Sequence, residues 1–181
     1  RAFYITKDEK YAEAAVTQLN DWISNNPYGR GMNWRSPLEL GIRLINWVWT
    51  LKLIEASHAL QDTQKQIITI AIYQQCRDIA RKFSQGSSAN NHLIGEAAGV
   101  FIASCYFNEF DESQRWRDSS QKILEEEIFN QTFSDGCTRE HALGYQLFVI
   151  QFFTASGLIA RAKGFDFSEK YWNRLELMFK F

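Results

Sequence analysis

Apolar residues recur every three or four positions along most of this chain, which is the spacing of one face of an α-helix. The pattern predicts seven helices, over residues of about 8–24, 36–60, 62–83, 92–108, 111–128, 138–163 and from 168 onward. Few stretches alternate with a period of two, and the chain has only two prolines. Both observations disfavour a β-sandwich or barrel. The pattern therefore predicts an all-α fold.

Polar loops precede every second one of these helices. They end near residues 37, 92 and 138, whereas the links after the second and fourth helices are short. Because short links favour antiparallel neighbours, we expect the three polar loops to gather at one end of a set of helical hairpins. Repeated hairpins of this kind predict an incomplete (α/α) toroid, here one domain over residues 1–181.

The gathered helix starts predict a binding surface for an anion. Each helix N-terminus brings unpaired N–H groups and about half a positive charge. Trp34 and Arg35 precede the second helix, and Arg43 lies six residues inside it. An aromatic ring beside a guanidinium can hold a flat, charged sugar ring. Plain packing of Trp34 in the core is the alternative.

The stretch Ser88–Glu96 concentrates polar chemistry at the start of the fourth predicted helix. Asn90, Asn91 and His92 stand together there, and Glu96 follows one turn later on the face of His92. An asparagine that only caps the helix is the alternative for the amides. For His92 and Glu96 the alternative is a surface ion pair.

A second polar stretch, residues 135–145, leads into the sixth predicted helix. Arg139 and Glu140 lie in it, and Glu140 and Tyr145 are expected to share one helical face. Tyr145 is expected about two turns, or ~10 Å, inside that helix, at the depth of Arg43. Adjacent cations and helix N-termini would favour an ionised phenol. A buried tyrosine with a satisfied hydroxyl is the alternative.

Composition excludes several classes of function. The 20 basic and 21 acidic residues leave a net charge of −1, which argues against a general nucleic-acid-binding protein. No apolar run approaches the ~20 residues of a membrane span, so a soluble globular chain is expected. The three cysteines are far apart, without the spacing of metal ligands. No metal and no cofactor is predicted.

Three segments, residues 33–43, 90–99 and 135–145, resemble the N-terminal helical domain of heparinase II/III-type polysaccharide lyases, a group that includes exo-acting alginate lyases. The resemblance covers nearly the whole chain. It implies an incomplete α/α toroid that is joined in longer relatives to a C-terminal antiparallel β-sandwich domain. It also implies cleavage of an acidic, uronic-acid-containing polysaccharide by β-elimination, and a periplasmic or secreted location.

The resemblance also implies roles for individual residues. Asn91, or His92 beside it, would neutralise the uronate carboxylate, and Tyr145 would act as base and acid, or as acid alone. The remaining candidates would contact substrate: Trp34, Arg35, Arg43, Asn90, Glu96, Arg139 and Glu140. The β-sandwich domain is absent from this chain, so the 181 residues alone are expected to have weak activity or none.

Two other functions fit the sequence. The first is an inverting glycoside hydrolase on a helical toroid, with two carboxyl groups drawn from Glu96, Asp135 and Glu140. Such an enzyme needs its two carboxyl groups about 6.5–9.5 Å apart across the sugar. The second is a non-catalytic helical module whose loops only bind glycan.

Overall fold

A computed structural model describes all residues, 1–181, and contains eight α-helices. They are α1 (Ala2–Thr6), α2 (Glu9–Asn25), α3 (Pro37–Leu53), α4 (Asp62–Arg81), α5 (Asn91–Tyr106), α6 (Ser113–Asn130), α7 (Leu143–Ala162) and α8 (Glu169–Lys180). Two short 3-10 turns, Met32–Trp34 and Gly86–Ser88, lie in the loops before α3 and α5. There is no strand, only an isolated bridge between Thr132 and Thr138. The all-α prediction is confirmed.

The helices form two rows. α3, α5 and α7 lie side by side in an inner row, with α5 between the other two. α2, α4, α6 and α8 cover this row from outside: α4 packs on α3 and α5, α6 on α5, and α8 on α6 and α7. Alternation of inner and outer helices along the chain is the arrangement of an incomplete (α/α) toroid built from helical hairpins.

Helix α5 is the centre of the core. Fourteen of its sixteen residues are buried, because α3, α6 and α7 enclose it. Glycines allow the closest approach: a Cβ added to Gly41 of α3 would lie 2.5 Å from the carbonyl oxygen of Gly95, and one added to Gly99 would lie 2.5 Å from the backbone of Gly41. The two helices therefore touch backbone to backbone, with no room for side chains between them.

Local sequence sets the helix starts. The Ser36 hydroxyl accepts the backbone N–H of Glu39, and Pro37 occupies the first position of α3, where its missing N–H costs nothing. The hydroxyl of Ser168 caps α8 in the same way. Gly164, with φ of 78°, follows the end of α7 in the left-handed region that glycine adopts without strain.

Two predicted boundaries are wrong. The second predicted helix ends at Leu53 rather than near residue 60, and the sixth begins at Leu143 rather than near residue 138. In the second case a buried side chain organises the preceding loop. Gln146 accepts the N–H of Thr138 and donates to the carbonyl oxygens of Gly136 and Met178. These bonds keep residues 136–138 out of the helix.

The length and apolarity of helix α7 contradict one expectation from the sequence. By length and composition alone its 20 residues, with a mean hydropathy of 1.4, could cross a membrane. The expectation that no segment reaches that length and apolarity is therefore wrong. In this fold α7 packs on α5 and α8, which accounts for its buried apolar face, while Leu143, Leu147 and Leu158 on other faces are exposed.

Candidate functional site

The inner helices begin at one end of the molecule, where three loops surround their N-termini. We call this end the mouth; it comprises residues 26–36, 82–92 and 131–145. A hydrogen bond joins the second and third of these loops: the side-chain amide of Gln131 donates to the carbonyl oxygen of Ala89 at 2.6 Å. The first loop lies at the same end, because Leu38 at the start of α3 packs against Gly95, near the start of α5. The predicted gathering of the three polar loops is therefore present in the structure.

The loop before α3 holds Trp34 on its inner side. The indole N–H donates to the carbonyl oxygen of Asn26 at 3.2 Å, and the ring lies 5.0 Å from Tyr28, edge to face, and 6.1 Å from Trp22. Trp34 is half-buried, so it both packs and borders the mouth. Arg35 beside it is exposed and forms no ion pair.

Arg43 does not reach Tyr145, contrary to the expectation from the sequence. Its guanidinium donates to the Gln75 side chain at 3.2 Å and to the carbonyl oxygen of Asn33 at 3.1 Å, and it stacks 4.1 Å over the ring of Trp22. Burial lowers the pKa of this guanidinium. Arg43 therefore ties the loop before α3 to α2 and α4, and its position indicates that it supports the rim.

Helix α5 begins at the centre of the mouth. The side chain of Asn90 accepts the N–H of His92 at 3.1 Å and so caps the helix. Capping by Asn90 was the alternative left open by the sequence, and it holds for this amide. His92, one position inside α5, is half-buried.

Asn91 is held by Glu140 from the loop before α7. Its side-chain nitrogen lies 2.9 Å from both carboxylate oxygens, and its backbone N–H donates to one of them at 3.1 Å. Because both oxygens lie on one side of this nitrogen, a single N–H shared between them satisfies the contact, and the second N–H stays available. Asn91 itself is 5% exposed, so only a small part of it is open to a ligand.

Glu96 does not face the mouth. It is fully buried, and its carboxylate accepts the N–H and O–H of Ser84 at 2.7 and 2.5 Å. Burial raises the pKa of this carboxyl, while the Ser84 hydrogen bonds and the nearby charge of His92 act in the opposite direction. The expected roles in substrate contact or in a surface ion pair are therefore wrong, because the carboxylate fixes the loop before α5.

Tyr145 lies in the first turn of α7, not two turns inside a longer helix, because α7 starts at Leu143. Its side chain is 44% exposed, which removes the alternative of a buried tyrosine. Arg139 is also exposed; it stacks 4.7 Å over Phe133 and forms no ion pair. The structure joins Asn91 to Glu140 directly, and Tyr145 follows Glu140 by five residues on the same rim.

Polar residues that brace the mouth carry no recognisable motif in the sequence. Ser84 and Gln131 lie in ordinary polar loops, and the sequence around them does not indicate a structural role. Gln75 and Gln146 could have been noticed, since each interrupts an apolar helical face and is almost fully buried. A glutamine on an apolar face is costly unless its amide is hydrogen-bonded, and so it points to a bracing contact.

The mouth presents positive charge. Arg35 and Arg139 offer unpaired guanidinium groups, and three inner helices direct their N-termini toward this end. The three candidate carboxylates already accept hydrogen bonds within the protein: Glu96 from Ser84, Glu140 from Asn91, and Asp135 from the N–H of Cys137. The buried position of Glu96 removes it from the carboxyl pair that a glycoside hydrolase would need. No group of His, Cys, Asp and Glu side chains is arranged for a metal ion.

Comparison with known proteins gives a consistent set of relatives. The heparin-sulfate lyase of Bacteroides stercoris is 28% identical over an alignment of 202 positions, gaps included, which covers all of this chain and 30% of that protein. The heparin-sulfate lyase of Pedobacter heparinus is 30% identical over 156 residues, which cover 83% of this chain and 23% of that protein. The chain thus spans less than a third of the length of these relatives.

Solved structures show the same fold. Heparan sulfate lyase HepC from Pedobacter heparinus superposes with a TM-score of 0.77 at 27% identity, over 99% of this chain and 29% of that one. A structure of heparinase III superposes with a TM-score of 0.84 at 23% identity, over 99% of this chain and 28% of that one, and supports the fold alone. Residues 1–181 match the family described as heparinase II/III N-terminus. The chain therefore belongs to the heparinase II/III N-terminus family.

Proposed function

We propose that this chain is the helical part of a polysaccharide lyase that cleaves a uronic-acid-containing glycan by β-elimination. The observation that carries the proposal is the position of Asn91. Its amide lies at the N-terminus of the central inner helix, held by Glu140, with one N–H unspent. The relatives named as heparin-sulfate lyases support the class of substrate.

Proton removal from a uronate requires charge stabilisation. The hydrogen on C5 is α to a carboxylate, and loss of that proton places further negative charge on the carboxylate oxygens. We assign the free N–H of Asn91, with His92 beside it, to those oxygens. Hydrogen-bond donors already in place stabilise such charge without having to reorganise. Arg35 and Arg139 add positive charge, which offsets the carboxylate of Glu140.

Tyr145 is proposed to move the proton. In its phenolate form the tyrosine takes the proton from C5, the C4–C5 double bond forms as the C4–O4 bond breaks, and the resulting phenol gives that proton to the leaving O4 oxygen, which restores the phenolate. Its exposed position in the first turn of α7 leaves the hydroxyl open to a bound sugar. A base supplied from elsewhere would leave Tyr145 the acid alone.

We further propose that the working enzyme is longer than this chain. The relatives extend well beyond the aligned part, and a C-terminal β-sandwich domain would supply the facing wall of the cleft. A periplasmic or secreted location is proposed as well, since a polysaccharide substrate is too large and polar to cross a bilayer.

A panel of uronic-acid polysaccharides tests the proposal through ultraviolet absorbance. Elimination leaves a C4–C5 double bond conjugated with the carboxylate, which absorbs strongly, whereas hydrolysis leaves none. The protein that contains this chain at its N-terminus should generate the absorbance, and the 181 residues alone should generate little or none. Release of saturated products would instead support a hydrolase, and binding without cleavage would support a glycan-binding module.

Two substitutions locate the chemistry. Tyr145→Phe removes only the hydroxyl and should lower the cleavage rate by about 10²–10⁴-fold, the usual contribution of a general acid or base. Tyr11→Phe is the matched control, because Tyr11 is 41% exposed but lies in α2, away from the mouth. Normal cleavage by Tyr145→Phe would disprove the assignment of this residue.

A further inference from the structure

A second charged surface lies outside the mouth, between the outer helices α4 and α6. It is a groove of about 770 Å³, within the range of ligand sites in proteins. We call it the outer groove. It meets the mouth at one residue, Phe83, and its principal lining residues are Arg77, Arg81, Phe83, Arg115, Trp116 and Lys122.

The outer groove is basic, although the chain as a whole is slightly acidic. Four basic side chains against two acidic ones, Glu112 and Glu126, leave an excess of two positive charges. Glu112 accepts the hydroxyl of Tyr73, and Glu126 lies 3.9 Å from Lys122 in a weak pair. Arg77, Arg81 and Arg115 form no ion pair. The charges of these three guanidinium groups are therefore not neutralised by a paired carboxylate.

Arg77 provides the most direct indication of a missing partner. One of its terminal nitrogens donates to the hydroxyl of Tyr28 at 3.0 Å, whereas its Nε atom is buried without an acceptor. A buried donor without a partner costs free energy, and an acceptor brought by a ligand would relieve that cost. Arg77 also lies over the ring of Tyr28, which in turn packs against Trp34 at the mouth.

The floor of the groove is apolar and aromatic. Phe83, half-buried, and Ile123 are exposed in part between the basic residues, and Trp116 lies beneath them, 3% exposed. Alternating apolar surface and guanidinium groups suit a chain that carries anionic groups on apolar ring faces. An acidic oligosaccharide has that chemistry. A polyphosphate backbone would favour a larger excess of positive charge.

We propose that the outer groove is a second binding site for a sulfated or carboxylated oligosaccharide, separate from the mouth. Arg81, Arg115 and Lys122 would contact the anionic groups, and Phe83 would contact a sugar face. The proposal rests on the proposed function for the class of ligand. Because Tyr28 connects Arg77 with the loop that holds Trp34, a polysaccharide bound in the groove would stay beside the mouth.

Calorimetric titration of the 181-residue chain with a size-defined heparin octasaccharide tests the site. Arg81→Gln together with Arg115→Gln removes two exposed charges from the groove. The double variant should weaken binding at this site about tenfold, as expected for two partly solvated charge contacts. Lys65→Gln with Lys170→Gln is the control: it makes the same change in net charge at exposed positions outside the groove, and binding should stay within about twofold.

The variant Arg139→Gln, which changes the mouth, distinguishes binding in the outer groove from binding at the proposed site in the mouth. The outer groove is supported if Arg81→Gln with Arg115→Gln loses oligosaccharide binding at this site and Arg139→Gln keeps it, whether or not cleavage is detected. Equal weakening by the groove variant and the control would overturn the site, since only overall charge would matter. Equally tight binding of inorganic sulfate, or of single-stranded DNA of matched charge, would overturn the class of ligand. Thermal unfolding of each variant confirms that it is folded.

Discussion

The carboxylate of Glu140 holds the amide of Asn91 through both of its oxygens, each 2.9 Å from the amide nitrogen. The two residues are 49 positions apart, and the contact closes the loop before α7 over the start of α5. It fixes the direction of the amide before any ligand arrives. It also places a negative charge beside the group that is proposed to receive the uronate.

Removal of Glu140 should therefore affect stability. Glu140→Ala leaves the nearly buried amide of Asn91 without its acceptor, and the free energy of unfolding should fall by about 1–3 kcal/mol. Glu140→Gln keeps one acceptor oxygen and should lose less. Glu13→Ala, an exposed change in α2, should stay within about 0.5 kcal/mol of the wild type. Urea denaturation measures all three, and an unchanged Glu140→Ala would show that the contact contributes nothing.

Alanine substitution should have opposite effects on stability at two glycines, because Gly41 lies in the backbone contact between α3 and α5 and Gly144 does not. Gly41→Ala places a methyl group 2.5 Å from the carbonyl oxygen of Gly95, so the helices must separate, at a cost of about 1–3 kcal/mol or more. Gly144→Ala, in the first turn of α7, meets nothing within 4 Å. It should be neutral or stabilising by up to about 1 kcal/mol, because alanine favours a helix. The midpoint of thermal unfolding distinguishes them; equal midpoints would contradict the close packing.

Glu96 predicts a pH dependence of stability. Its pKa is raised in the folded chain, so the folded state holds its proton to higher pH than the unfolded state does. Stability that is present below the ordinary pKa of a glutamate is lost as the pH rises through the raised value. Glu96→Gln can still bond Ser84 and does not titrate. The stability of the wild type relative to this variant should thus fall as the pH rises above the ordinary glutamate pKa of about 4.3, as followed by urea denaturation. A difference that is constant with pH would refute this.

Arg43 predicts a local change at the rim. Lysine cannot bond the Gln75 side chain and the Asn33 carbonyl oxygen together, nor stack its charge flat on Trp22 as a guanidinium does. Arg43→Lys should increase hydrogen exchange of the amides in residues 32–35, and Trp34 should become more accessible to a fluorescence quencher. Arg30→Lys, an exposed change in the same loop, should alter neither. Slow exchange retained in Arg43→Lys would mean that other contacts hold the rim.

The helical fold follows from the sequence to a large extent, because periodicity and capping residues are local signals. Ser36 with Pro37 and Ser168 mark real helix starts. Errors arise where a distant contact decides. The start of α7 depends on Gln146 bonding the preceding loop and α8. In α4, Ile68 and Ile72 are buried while Ile67 and Ile70 are exposed; isoleucines at four of these six positions point in several directions, so packing decides which face is buried.

The sequence predicts which loops contribute residues to the candidate site, but not which side chains hydrogen-bond to one another there. Asn91 and Glu140, from two different loops, do meet, as the gathered loops require. Which carboxylate meets which donor depends on three-dimensional contacts, and so the sequence does not distinguish Glu96 from Glu140. Glu96 pairs with Ser84 behind the helix, whereas Glu140 crosses to Asn91. Spacing along a helix locates a side chain on a face and does not reveal what the next loop brings to it.

The enclosure of α5 has a consequence for how this scaffold could be altered. A helix with neighbours on nearly every side cannot tilt or slide without disturbing the whole interior, so the amide at its start is a fixed reference point. Under the proposed function, changes of preference among acidic sugars would then come from the three surrounding loops, which carry their side chains outside the core. Engineering of a new specificity should begin with those loops and leave the central helix untouched.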